Sequence, residues 1–431
     1  MHADIHDFIA IGLGPFNLSL AALSAPLPGL DAVFLEKSRE FNWHPGLLLD
    51  DATLQNSFLA DLVTLADPRS EFSFLNYCKQ TGRLYSCYMR EQLHLRRAEY
   101  NRYCRWVTTR LANVRMGCEA TLIDYDDALG TYLVSGRDHV ACRDFSLRAR
   151  KLVLGVGTVP RLPRCCNQPD TPYLHSAHYL QHKATLLQRR NIVIIGSGQS
   201  AAEVFYDLLR ASATHAFRLT WITRSPHFFQ MENSKLTLEL ISPDYTDHFF
   251  NLPAHRRRRV LGQQASLYKG INADLVAAIY ELLDERMLEA ADRYRLASNS
   301  TLRSCSHDAG TDTFRLGFRH RESARDFAIE ADGVVFATGY SPRMNDLLTP
   351  LHSRIEWADE TCYRMTRDYA IDHAGNEIFV QNGGLASHGV GNPDLGLCCH
   401  RNARILRALT GVEHYRIEPR TALQTFGPLS S

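Results

Sequence analysis

Two glycine clusters in this 431-residue chain carry the spacing for phosphate chemistry. Gly12-x-Gly14 interrupts the run DFIAIGLGPFNLSLAAL over 7–23, and Gly196-x-Gly198-x-x-Ala201 interrupts NIVIIGSGQSAAEVFYDLL over 191–209. In each, an apolar run breaks at glycine and turns at once into a helix-like pattern. Such a turn points backbone N–H groups and the positive end of a helix at a pyrophosphate. Gly12 permits the tight turn, and Gly14 lets the backbone approach a ligand closely. The third small residue of the pattern is Ala201 in the second cluster, where it allows helix to pack on strand; in the first, Asn17 stands in its place. The next apolar strand, DAVFLE over 31–36, ends in Glu36, at roughly the 20-residue distance expected of an acid that accepts hydrogen bonds from a ribose. After the second cluster, RLTWIT over 218–223 runs instead into Arg224. A guanidinium suits the extra 2′-phosphate of NADP, which an acid would repel, so NADPH is favoured over NADH there.

The elements that must position these turns follow an α/β rhythm. Helices are expected over Leu18–Ser24, Phe72–Leu84 and Leu95–Leu111, with Tyr100, Cys104, Val107 and Leu111 at helical spacing. Short alternating segments over Glu119–Leu147 read as a β-meander, and Lys151–Gly157 as a further strand. Four prolines over Pro160–Pro172 mark a linker. Residues 226–290 break the rhythm with aromatic loops, the run Arg256–Arg259 and a long helix from Asn272 to Tyr294, whose apolar stripe is Leu275, Ile279, Leu282 and Met287. Inserted segments of this kind commonly supply a ligand pocket, since ligand sites favour domain interfaces. The β pattern then returns and reaches GVVFATGY over 333–340, a buried strand ending in Ala-Thr-Gly. A glycine-rich loop, Gly383–Gly396, leads into a helix over Leu397–Leu409. His388 in that loop has no acid or nucleophile at a telling spacing and reads as structural or cofactor-adjacent.

Composition sets limits on function. Hydrophobic residues make up 45% and charged residues 22%, and the net charge is +1, so neither a disordered chain nor a global attraction to nucleic acid is implied. The arginine run reads as a solvated helix face. Among eleven cysteines none stands in a Cys-x-x-Cys pair; free thiols in a reducing cytoplasm are expected, with no metal site. The N-terminus lacks the charged leader and apolar core of a signal peptide, and glycines and prolines interrupt 8–30 too often for a spanning helix. A homo-oligomer, dimer or tetramer, is left open.

Two dinucleotide fingerprints and an Ala-Thr-Gly strand form a flavoprotein constellation, FAD at the first and a nicotinamide nucleotide at the second. In GLGPFNLS (12–19), WHPG (43–46), SFLADLVTLADPRSEFSFLNY (57–77), GSGQSAAEVFYDL (196–208), FATGY (336–340) and SHG with the leucines that follow (387–397), the chain resembles the flavin-dependent N-hydroxylating monooxygenases of siderophore biosynthesis. The resemblance implies two Rossmann-like domains, FAD-binding over 1–165 and 331–431 and NADPH-binding over 166–225 and 295–330, with a smaller, mainly helical substrate-binding insertion over 226–294. It implies that NADPH reduces FAD, that O2 adds to give a C4a-hydroperoxide, and that the distal oxygen passes to an amine nitrogen, with no certain catalytic side chain. FAD would be held by Gly12, Gly14, Pro15, Phe16, Asn17, Glu36, Lys37, Trp43, His44, Gln55, Thr338, Gly339, Leu395 and Leu397. NADPH would be held by Arg97, Gly196, Ser197, Gly198, Gln199, Ser200 and Arg224.

One departure bears on the substrate. The amino-acid hydroxylases of this family resemble SFLKDL where this chain reads Ser57-Phe58-Leu59-Ala60-Asp61-Leu62, and their lysine pairs with the substrate α-carboxylate. A second carboxylate contact, the asparagine of Asn-Tyr-Ser, is Leu267 in Leu267-Tyr268-Lys269. Losing one partner of a buried charge pair costs about 3–5 kcal/mol. A diamine, putrescine or cadaverine, is therefore expected, with Gln55, Ala60, Leu267 and Tyr268 at the substrate and Glu232 or Glu239 meeting its distal ammonium; Ala60→Lys would weaken it. Lys269 taking over the pairing would instead give an L-lysine N6- or L-ornithine N5-hydroxylase. A non-catalytic FAD- or nucleotide-binding protein is the reading from another class. A disulfide reductase lacks its dithiol here, and a Baeyer–Villiger oxygenase lacks its Phe-x-Gly-x-x-x-His signature.

Overall fold

The strand Ile5–Ile11 that feeds the first glycine turn lies in the middle of a seven-stranded sheet, parallel to Ala32–Glu36 on one side and to Arg143–Leu154 on the other. Phe8, Ile9 and Ala10 are fully buried, as an apolar run in a parallel strand covered on both faces must be. The computed structural model describes residues 5–342, 346–359 and 362–429; residues 1–4, where the reading of the N-terminus begins, lie outside them. Arg143–Leu154 has two roles. Its first half pairs antiparallel with Thr131–Asp138, which pairs with Cys118–Asp126 as the expected meander; its second half pairs parallel with Ile5–Ile11 and Ile378–Val380. The separate strand expected at 151–157 is thus the end of the meander's last strand, which carries the meander into the parallel core.

The second sheet is all parallel, in the order Leu174–His175, Gly333–Phe336, Asn191–Ile195, Arg218–Ile222 and Tyr294–Ala297. The sequence assigns 331–431 to the first domain, but Gly333–Phe336 sits here, beside the strand of the second glycine turn. The chain crosses between the units on Thr158–Pro160 and Tyr340–Pro342, which pair antiparallel. Ser300–Asp308, Thr313–His320 and Arg325–Ala331 form a separate antiparallel sheet.

The insertion is helical, with helices Pro243–Asn251, Ala254–Gln263 and Ala273–Ala290. Ser242 starts the first by accepting from Tyr245 N at 3.1 Å. Arg256–Arg259 lies on the second, which has no buried residue. The third ends at Ala290 rather than Tyr294. Ile279 is 5% exposed, and Leu275 and Leu282 pack against the core of the second unit, but Met287 is 42% exposed. At 3.6 residues per turn, eight residues beyond Ile279 overshoot two turns and leave the buried face. The expected helix over Phe72–Leu84 is likewise shorter, Phe74–Gln80, with a second one at Leu84–Met89. Among the described residues no helix is long and apolar enough to cross a membrane.

Candidate active site

All three parts meet at a cleft of about 860 Å³. Its lining includes, from the first unit, 14–17, 43–45, 53–56, Arg97 and 393–396, from the second Ala177, His178 and Ser200, and from the insertion 231–233, Leu238, Ile241, Leu267 and Tyr268.

In the first turn, Gly12 has φ +83°, and a Cβ there would lie 2.5 Å from Gly155 O; one on Gly14 would meet nothing within 4 Å. Helix Pro15–Ser24 starts at Gly14 with no side-chain cap and no acid in its first turn, so its leading N–H groups are left to an anion. Asn17 is 1% exposed, and its Nδ2 donates to Gly12 O at 2.7 Å. A Cβ on Gly155 would lie 2.3 Å from that Nδ2. The glycine missing from the helix has its counterpart on the neighbouring strand end, and the amide that fills the space ties the turn together. Glu36 also secures the turn, accepting from Leu13 N and Ser38 N at 2.8 Å each. Glu36 and Lys37 stand outside the cleft lining.

Trp43, His44, Gln55 and Leu395, which the resemblance puts at FAD, line the cleft. The His44 ring lies 4.7 Å from Trp43 and 5.9 Å from Tyr340. Burial, then the charge of Arg97, lowers its pKa to about 4, so at neutral pH it is an uncharged wall. Thr338 and Gly339, expected at FAD, do not line the cleft. Thr338 donates its hydroxyl to Arg161 O, and Gly339 O accepts from Arg161 N and His175 Nε2 at 3.0 and 3.1 Å. Their neighbour Tyr340 lines it instead. Leu397 is buried and is not part of the lining. His388 is stacked on Tyr369 at 4.2 Å with its pKa well below the usual value because of burial, which fits the structural role.

In the second turn Gly196 has φ +152°, and a Cβ there would lie 2.2 Å from Ala337 O. The helix Gln199–Ala211 starts at Gly198, again without a side-chain cap. Ser197 Oγ is 2.9 Å from Ser225 Oγ, Ser200 faces the cleft, and Arg224 is exposed with no protein partner among the described residues. Arg97 and Gln199, expected to hold a nucleotide, are engaged within the protein. Arg97 makes two bonds to Glu203, at 2.9 and 2.7 Å, and one to Leu47 O at 2.7 Å. Gln199 Nε2 donates to Glu203 at 3.0 Å, and its Oε1 accepts from Asn272 N at 2.9 Å.

On the substrate side, Leu267, Tyr268 and Glu232 line the cleft; Ala60, Glu239 and Lys269 do not. Ala60 lies in a turn closed by its N–H on Ser57 O at 2.9 Å, so the expected effect of Ala60→Lys rests on the reach of a lysine alone. Lys269 is exposed, its ammonium 5.0 Å above the Tyr268 ring. Glu239 serves the C-terminal segment, accepting from Leu423 N and Gln424 N at 2.9 Å and Gln424 Nε2 at 3.0 Å, beside Asp244, which accepts from Thr421 N and Ala422 N. These donors lower its pKa, so the clamp holds at neutral pH and loosens only below the usual carboxylate range. Glu239→Gln turns one acceptor oxygen into a donor facing N–H groups. Trypsin is expected to cut after Arg420 several-fold faster in that variant, read from the mass of the released fragment; an unchanged rate refutes the clamp.

The residue that sequence reasoning missed is Asp394. It lines the cleft, and its Oδ1 accepts from Asn56 Nδ2 at 2.6 Å and Gly396 N at 2.7 Å; burial raises its pKa. The signal was an aspartate just before a helical start in the loop GNPDLG.

The chain matches, over residues 4–342, the family described as L-lysine 6-monooxygenase/L-ornithine 5-monooxygenase. An alcaligin biosynthesis enzyme from Bordetella pertussis is 58% identical over 428 residues, 99% of this chain and 93% of the relative. A putrescine N-hydroxylase from Shewanella oneidensis is 46% identical, over 98% of this chain and 84% of the relative. The crystal structure of an FAD-bound cadaverine monooxygenase of the desferrioxamine pathway from Erwinia amylovora matches with a TM-score of 0.96 at 43% identity, over 99% of this chain and 100% of that one. With the family matched over most of its length and the fold shared throughout, the chain belongs to these flavin-dependent N-hydroxylating monooxygenases.

Proposed function

We infer that the protein hydroxylates one primary amine of a small aliphatic diamine, putrescine or cadaverine, for hydroxamate siderophore biosynthesis, using FAD, NADPH and O2. The observation that carries the substrate is the charge of the cleft. Its lining holds the acids Glu232 and Asp394, while among the described residues its one Lys or Arg, Arg97, is already paired with Glu203. Among the described lining residues an amino-acid substrate would find no free lysine or arginine to meet its carboxylate, and Lys269 is not one of them. The names of the Shewanella and Erwinia relatives point to diamines as well.

The residues present fit both cofactors. Gly14 leaves room for close approach at an uncapped helix start, and Asn17 Oδ1 is a buried acceptor without a protein partner, suited to a hydroxyl donor of the FAD polyol. The uncapped helix start at Gly198 and the unpaired Arg224 suit NADPH. When bound, reduced FAD activates O2, with NADPH as the source of electrons. The chain positions and shields. A primary amine with a pKa near 10.4 is neutral in fewer than about one molecule per thousand at pH 7. Leu238, Ile241 and Leu267 give the cleft an apolar wall that favours the uncharged lone pair at the reacting end. Glu232, whose Oε1 takes only the Thr237 hydroxyl at 3.1 Å, meets the ammonium at the far end. None of the described cysteines is in a disulfide, which supports the reading of a reducing cytoplasm.

The test is product formation. With NADPH and O2, hydroxylamine is measured from putrescine, cadaverine, L-ornithine and L-lysine. A diamine is expected to exceed either amino acid in kcat/KM by at least about a hundredfold, the equivalent of roughly 3 kcal/mol. Preference for ornithine or lysine overturns the reading.

A further inference from the structure

Glu203 is a carboxylate that the chemistry described so far does not use, yet it is 4% exposed and holds three hydrogen bonds from two side chains. It lies on the first turns of the helix that follows the second glycine cluster, four residues after Gln199 and therefore on the same face. Arg97, its bidentate partner, comes from the first unit, and its side chain is 12% exposed. The bonds continue in both directions. Arg97 also reaches Leu47 O, and Gln199 accepts from Asn272 N at the start of the long insertion helix, while Asn272 Oδ1 accepts from Gln55 Nε2 at 2.8 Å. The path Leu47, Arg97, Glu203, Gln199, Asn272, Gln55 leaves the first unit, passes through the second unit and the insertion, and returns to the first beside the cleft.

We propose that Glu203 is a positioning residue that, through Arg97 and Gln199, holds the second glycine turn in register with the first unit across the cleft, and so sets where a bound nicotinamide meets the flavin. A bidentate carboxylate–guanidinium pair fixes rotation as well as distance, which one hydrogen bond does not. Gln199 passes that constraint to the turn, because both ends of its amide are held and it is the first residue of the helix. The inference rests on the reading that NADPH occupies the second turn. It adds that the approach of NADPH depends on a carboxylate that need not touch the nucleotide.

Glu203→Gln keeps the size and removes the charge. Flavin reduction by NADPH is followed anaerobically in a stopped-flow instrument, together with reduction by dithionite, the Kd for NADP+ and the urea midpoint. The variant is expected to reduce its flavin with NADPH more than tenfold slower than wild type while dithionite acts at the same rate. The double variant Arg97→Gln/Glu203→Gln separates positioning from stability, since it leaves no unpaired buried charge. Its urea midpoint is expected to return toward wild type while its reduction by NADPH stays slow, with a total loss no greater than that of the worse of Glu203→Gln and Arg97→Gln measured singly. Reduction that recovers along with the midpoint, or losses that add, overturns the proposal, as does a Glu203→Gln protein that NADPH reduces at the wild-type rate. Wild-type protein that binds no NADP+ would overturn the cofactor reading itself, which the other outcomes leave standing.

Discussion

Replacing Gly12 with alanine is expected to give a protein that purifies without flavin. At φ +83° an alanine pays about 1–2 kcal/mol for the left-handed backbone. Its Cβ would also sit 2.5 Å from the carbonyl oxygen and 2.9 Å from the carbonyl carbon of Gly155. Neither strand can give way easily, because Ile5–Ile11 and Arg143–Leu154 are hydrogen-bonded neighbours from Ile5 to Ile11. The turn and the strand must part, and Asn17, which donates to Gly12 O, loses its place with them. Absorbance of purified protein gives the flavin-to-protein ratio, and a ratio near wild type refutes the argument. Gly14→Ala is the informative companion. The protein offers its Cβ no clash within 4 Å, so flavin lost from a variant that folds normally reports crowding by the methyl against the cofactor.

Arg97→Ala is expected to destabilise the fold by about 3–5 kcal/mol, the cost of leaving one partner of a buried ion pair behind. Glu203 would keep only the amide of Gln199, and Leu47 O would lose its donor as well. The effect is read as a fall in the urea midpoint of the unfolding transition that involves both units. Adding Glu203→Gln to this variant removes the stranded charge, and part of the loss is expected to return. A midpoint unchanged by Arg97→Ala would mean that the pair adds nothing to the docking of the two units.

Several elements were legible because the forces that form them are local. An apolar strand, a glycine that must turn and an amphipathic helix announce themselves within about 20 residues, so both glycine turns, the meander and the helices at 97–108 and 273–290 were placed to within a few residues. Asn17 looked like a defect in the first fingerprint for the same reason. Its compensating glycine, Gly155, is far away in the chain, and only packing shows that the two fit each other.

Several residues expected at a ligand bond within the protein instead, to partners from distant segments. Glu239 was read as a substrate acid, but its donors lie 184 and 185 residues further on. Arg97 and Gln199 were read as nucleotide ligands, and both turn to Glu203, which is 106 residues from Arg97. Thr338 and Gly339 bond to Arg161 and His175.

The sequence by itself determined the strand–glycine–helix units and the family through the motifs around them. Those depend on backbone conformation and residue type, which nearby residues specify. Only the tertiary structure decided which carboxylates face the cleft and which hold the protein together. A charged side chain has no periodicity to betray its partner, and the competition among donors is settled by which segments the two sheets and the insertion bring within hydrogen-bond reach.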